Sequence, residues 1–76
     1  MKRAIIKRVP LGYSNRYTNY IVIPRTGNAP MLLLEVLAEL ELKANETVQE
    51  EDSFRIHING EKPTLDYIVN YINNNL

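Results

Sequence analysis

Pro30-Met31-Leu32-Leu33-Leu34-Glu35-Val36-Leu37-Ala38-Glu39-Leu40-Glu41-Leu42-Lys43-Ala44 is the stretch on which the fold turns, because two periods compete in it. Leu33, Val36, Leu37 and Leu40 fall at the i, i+3, i+4, i+7 spacing of one buried helical face. Leu34, Val36, Ala38, Leu40, Leu42 and Ala44 also alternate with Glu35, Glu39, Glu41 and Lys43 as a strand would, and Leu37 alone breaks that two-residue period. Composition decides for a helix over Pro30 to Lys43, since Leu, Ala, Met and Glu are strong helix formers without the β-branching that strands favour. The residues in front agree: in Thr26-Gly27-Asn28-Ala29-Pro30, Asn28 suits an N-cap and Pro30 is tolerated only in a first helical turn.

Upstream, Arg3 to Val9 mixes β-branched with basic residues and stops at Pro10, which reads as a strand. Leu11-Gly12-Tyr13-Ser14-Asn15 carries turn residues, and Tyr17 to Ile23 is again aromatic and β-branched before Pro24, so an antiparallel hairpin is expected. Its register stays open, because Ile5 and Ile6, and Ile21 and Val22, place apolar residues on both faces. Downstream, the acidic and polar run from Asn45 to Ser53 reads as a solvated connection. Phe54-Arg55-Ile56-His57-Ile58 then alternates cleanly, with Phe54, Ile56 and Ile58 inward, Arg55 and His57 outward, and Asn59-Gly60 as a turn. Pro63-Thr64 opens a last helix with Leu65, Ile68, Val69 and Ile72 on one stripe and Asp66 in its first turn, where the helix dipole favours an anion. Asn73-Asn74-Asn75 lowers helix propensity and predicts a frayed end. The expected architecture is a single α+β domain over residues 1–76, in the order β-β-α-β-α, with a three-stranded sheet and two helices packed on one face.

Composition bounds what such a domain can do. With 76 residues, the chain buries only about 60% of the surface its unfolded form exposes, which leaves a thin core and little space for an enclosed catalytic cavity. Cysteine is absent, which excludes disulfides, thiolate metal sites and thiol catalysis. The basic opening Met1-Lys2-Arg3 is not followed by the apolar run of a signal peptide, and no stretch approaches the roughly 18 apolar residues of a membrane span, so a soluble, cytoplasmic protein without membrane contact is expected. Asn45-Glu46-Thr47 matches a glycosylation acceptor and, without an export signal, reads as a polar loop.

The chemistry-bearing residues do not assemble into an active site. Gly12, Gly27 and Gly60 have no phosphate-cradling spacing, and His57 lies beside Arg55, a cation that opposes a metal. Glu50-Glu51-Asp52 lacks the alternation and glycine of a calcium loop, and Ser53 and His57, four residues apart in a strand, stand about 13 Å apart. No catalytic, cofactor-binding or metal-ligating residue is nominated; a non-enzymatic protein with no cofactor and no small-molecule substrate is expected. Arg55 to Glu61 with Thr64-Leu65 resembles the strand–turn opening of ubiquitin-like sulfur carriers, but it lies near the wrong end, and the chain finishes in Asn74-Asn75-Leu76 where those carriers present a diglycine. Asp52-Ser53-Phe54 resembles the phosphopantetheine site of acyl carrier proteins, but Pro63 and the β-branched residues after Ser53 contradict the helix that site requires. Neither family is assigned.

The zero net charge hides an asymmetry. Residues 1–34 carry six cations, Lys2, Arg3, Lys7, Arg8, Arg16 and Arg25, and no anion, whereas residues 35–76 sum to −6. Such separation favours head-to-tail or antiparallel self-association if it survives folding. It supports two expectations of function. The first is a small regulatory or adaptor module, of the size and Asn- and Tyr-rich composition that suit a phage or mobile element, acting by protein–protein contact with a partner or with itself. Homodimerisation would use Met31, Leu32 and Leu34, which exceed what one helical face can bury. The second is binding of single-stranded nucleic acid or RNA through the hairpin, with Lys7, Arg8, Arg16 and Arg25 on phosphates and Tyr17 and Tyr20 stacking on bases.

Overall fold

The amino-terminal hairpin forms between β1, Ile5–Pro10, and β2, Tyr17–Pro24, in a register that sets Ile6 opposite Ile21 and Lys7 opposite Tyr20. The coordinates are a computed structural model describing residues 1–13 and 15–76; Ser14, one of the expected turn residues, lies outside the described residues. The register resolves the two-faced apolar pattern of both strands: Ile6, Ile21 and Ile23 turn toward the helices, and Ile5 and Val22 turn away from them.

Of the two competing periods, the helical one prevails. Helix α1 spans Ala29–Leu40 and ends three residues before the expected Lys43, because Glu41 adopts a left-handed backbone (φ 57°) and the Leu42 N–H donates to the Leu37 carbonyl at 2.9 Å. This closes the helix without the glycine that usually occupies such a position. Asn28 precedes the helix, but its side chain does not cap it; the Asn28 amide donates instead to the carbonyl of Asn75 at 3.0 Å, joining the start of α1 to the end of the last helix.

The expected three-stranded sheet is corrected to four strands. The segment read as a solvated connection contains β3, Ala44–Gln49, which pairs antiparallel with β4, Ser53–Ile58, through a bulge between Ala44 and Glu46. Its side chains are exposed on both faces except for half-buried Val48, so the apolar alternation that marks a strand is missing. The backbone ladder to β4 holds it instead, and backbone hydrogen bonding leaves no side-chain signature. The observed order is β-β-α-β-β-α with an antiparallel sheet of order β1-β2-β4-β3, which puts β1 and β3 at opposite edges. Helix α2, Lys62–Asn75, closes the chain. Asp66 lies beyond its first turn and is held by the Lys62 ammonium at 2.9 Å. The helix continues through Asn73 and Asn74 to Asn75 rather than fraying, because the Asn73 amide accepts from the Ala4 N–H (2.7 Å) and donates to the Ala4 carbonyl (2.9 Å).

Both helices lie on one face of the sheet. The core gathers Ile21 and Ile23 of β2, Ile56 and Ile58 of β4, Val36 and Leu37 of α1, and Leu65, Ile68 and Ile72 of α2. Each such side chain contributes about 1.5–3 kcal/mol when fully buried. The other face of the sheet is open. The registers run Ile5, Val22, Arg55 and Val48 across it in one row and Lys7, Tyr20, His57 and Glu46 in the next. Among the described residues, no helix is long and apolar enough to cross a membrane.

Candidate interaction site

The hairpin extends beyond the rest of the sheet. Strand β2 pairs with β4 only from Tyr20 to Pro24, so the pairs Arg8–Asn19, Val9–Thr18 and Pro10–Tyr17 project as a two-stranded ribbon, closed by the Leu11 N–H donating to the Arg16 carbonyl at 3.0 Å. Arg8 lies over the Tyr17 ring, 4.0 Å from its centroid, on the face that the helices cover further along, while Lys7 and Tyr20 belong to the open face. Tyr20 packs against His57 (ring centroids 5.7 Å apart), with the Arg55 guanidinium 5.0 Å from its own centroid.

Arg25 is drawn out of the basic set. Its guanidinium donates to the carbonyls of Glu50 and Glu51, both at 2.9 Å, and its backbone N–H donates to Asp52, so the cation holds the β3–β4 turn. The Met1 ammonium pairs with Asp52 at 3.2 Å. Arg55 Nε lies 3.7 Å from Glu50 Oε1, beyond hydrogen-bonding reach, and its attraction to that carboxylate is coulombic; the buried Nε has no hydrogen-bond partner among the described residues. Acid and base therefore intermix around the acidic turn. They stay apart elsewhere: Lys7 and Arg8 on β1 have no carboxylate in that strand, and among the described residues Glu46 on β3 and Glu41 before it form no ion pair. Of the six residues proposed as one contact surface, Arg8, Arg16 and Tyr17 share the ribbon, Lys7 and Tyr20 lie on the open face, and Arg25 belongs to the turn.

The apolar candidates on α1 also divide. Met31 and Leu34 are 62% and 68% exposed, but Leu32 is only 8% exposed and faces the core, which corrects the expectation that it surfaces. Leu34 lines an apolar groove of about 190 Å³ with Leu37, Pro30, Thr47, Phe54 and Ala44, between α1 and the β3 side of the sheet. Sequence reasoning missed this groove together with β3. Thr47-Val48, β-branched between Glu46 and Gln49, was its one local signal.

The helices meet through two phenol–carboxylate contacts, Tyr67 Oη to Glu39 Oε1 at 3.0 Å and Tyr71 Oη to Glu35 Oε2 at 3.3 Å. The hydrogen bond that Tyr67 donates to Glu39, followed by the charge of that carboxylate, raises the Tyr67 pKa above the usual phenol value. Burial, followed by the charge and hydrogen bond of Glu35, raises that of Tyr71. Among the described residues, no three His, Asp or Glu side chains converge as metal ligands. In comparisons with known proteins, the chain matches no family model, no curated protein and no solved structure.

Proposed function

We propose that this domain is a non-enzymatic protein-contact module that takes an extended segment of a partner as a fifth strand along β3. The observation that carries this reading is the state of β3: a sheet edge, exposed on both faces, with an apolar groove beside it and Leu34 exposed at the groove's rim. Strand addition supplies affinity through main-chain hydrogen bonds and specificity through alternate side chains. The carboxylates of Glu41 and Glu46, which form no ion pair among the described residues, select a segment that alternates apolar and basic residues.

An alternating Val/Lys octapeptide titrated into the isotope-labelled protein tests the reading. Amide shifts should concentrate on residues 44–49 and on Leu34, and Glu46→Lys should weaken binding by about tenfold, close to 1.4 kcal/mol. No shift in residues 44–49 at about 1 mM peptide, or equal binding of a Val/Glu peptide, overturns it.

The projecting ribbon favours a second reading, nucleic-acid contact through Lys7, Arg8 and Arg16. Three phosphate contacts to a single strand predict binding that weakens about 20-fold between about 50 and 200 mM salt. A mixed oligonucleotide that gives no anisotropy change at the lower salt removes this reading.

A further inference from the structure

We infer that the strand received by β3 is β1 of a second copy of this chain, so that copies join edge to edge with a shared sheet. The inference rests on the reading of β3 as an acceptor edge and adds the identity of its occupant. Four observations converge on it.

The first is direction. In an all-antiparallel sheet with an even number of strands, the two edge strands run in opposite senses, and the order β1-β2-β4-β3 is such a sheet. A neighbour displaced along the sheet, with its helices on the same side, therefore offers β1 antiparallel to β3 without being turned over.

The second is length and register. Both edges have six residues. Setting Lys7 of the incoming copy opposite Glu46 puts its Ile5 opposite Val48 and its Ile6 opposite Thr47. The established rows then continue unchanged in kind: Lys7 extends the row of Glu46, His57 and Tyr20, and Ile5 extends that of Val48, Arg55 and Val22. Ile6 extends the helix-side row of Thr47, Ile56 and Ile21, next to the apolar groove. A slip of two residues one way keeps the faces but sets Lys7 against Val48, a slip of two the other way crosses the bulge and sets Lys7 against Ala44 on the helix side, and a slip of one sends Ile6 to the open face.

The third is charge. Charged side chains on edge strands normally keep sheets apart. Here β1 presents Lys7 and Arg8 while β3 presents Glu46, with Glu41 just before it, so like edges repel and unlike edges attract. Neither Lys7 nor Glu46 has an ion-pair partner within its own chain among the described residues.

The fourth is what remains uncovered. Leu34, 68% exposed, lies at the side of α1 toward β3, where an added strand and its own covering helix α2 would shield it. The contact joins different surfaces of two identical chains, so it is heterologous and builds an open row of subunits rather than a closed two-fold dimer.

Sedimentation velocity on the full chain tests this. The weight-average mass should rise above 8.8 kDa with concentration and fall back as salt is raised. Lys7→Glu and Glu46→Lys, each checked for folding by circular dichroism, should each sediment as monomers. Their equimolar mixture should associate again, because one variant keeps the acceptor edge and the other keeps the donor edge. Association that persists in either variant alone, or a mixture that stays monomeric, overturns the inference. A wild-type chain that remains monomeric at about 1 mM while the Val/Lys peptide still shifts residues 44–49 overturns it and leaves the proposed partner contact standing. Failure of both measurements removes both.

Discussion

Strands β1 and β3 flank the same inner pair and have the same length, yet the sequence displays one and conceals the other. Strand β1 carries Ile5, Ile6 and Val9; Ile6 packs against the core, and α2 grips the strand's start through the paired hydrogen bonds between Asn73 and Ala4. Strand β3 offers only Val48 to partial burial, and the groove under Leu34 separates it from α1. The contrast shows that two edges with the same backbone pairing can differ in what holds them: one is pinned by side chains, the other by its ladder alone. It also shows why the domain can present one edge as a fixed donor and the other as an uncovered acceptor.

Mutations can test that difference, and the largest effect should come from the strands both edges lean on. Ile21→Ala, which removes a fully buried side chain of β2, should cost about 3–4 kcal/mol. That is most of the stability of a domain this small, and urea denaturation measures it. Ile6→Ala should cost about 1–2 kcal/mol and Val48→Ala less than about 1, because only the first side chain packs on the core. Equal losses at the two edges would break the comparison.

The pin itself comes next. Asn73→Ala removes both hydrogen bonds to Ala4 and should destabilise by about 2 kcal/mol. Hydrogen exchange should then quicken at Ala4 and along β1 while the amides of β3 keep their wild-type rates. Faster exchange spread evenly over both edges would mean that α2 does not favour one.

A smaller effect is expected from alkali. Tyr67 and Tyr71 have pKa values raised by folding, so their contribution to stability is fully present below the ordinary phenol value and is lost as pH rises through the raised ones. The urea midpoint should therefore fall as pH rises above the ordinary phenol value of about 10. Glu39→Gln removes the neighbouring charge and should lower the Tyr67 transition, followed by phenolate absorbance, while leaving that of Tyr71 nearly in place. The smallest change is Glu41→Gly, which relieves a left-handed residue at the end of α1 and should gain at most about 1 kcal/mol. A loss there would show that the Glu41 side chain contributes more than its backbone strain costs.

How far the sequence foretold this molecule followed the same division. Both helices and the alternation of Phe54, Ile56 and Ile58 were legible because burial writes a period into the side chains, and the hairpin was legible from β-branched and aromatic runs around turn residues. Strand β3 was not, since a strand wet on both faces has no such period, and Asn45-Glu46-Thr47 in it reads as loop. The charge asymmetry was legible as arithmetic and only partly as geometry. Arg25 and Arg55 lie near the acidic turn because β2 and β4 meet there, a pairing that no local pattern announces. The two aspects of Lys7 and Arg8 followed from a register that the doubled isoleucines left open.

The overhanging end of the hairpin bears on how such a domain could change over time. Among the described residues, the ribbon past Tyr20 has neither a third strand beside it nor a residue in the core cluster, so its paired strands can open locally there without disturbing the interior. Insertions or replacements between Leu11 and Arg16 should therefore leave the melting temperature almost unmoved, and a lineage could redraft the tip's chemistry while the sheet and helices beneath it stay as they are.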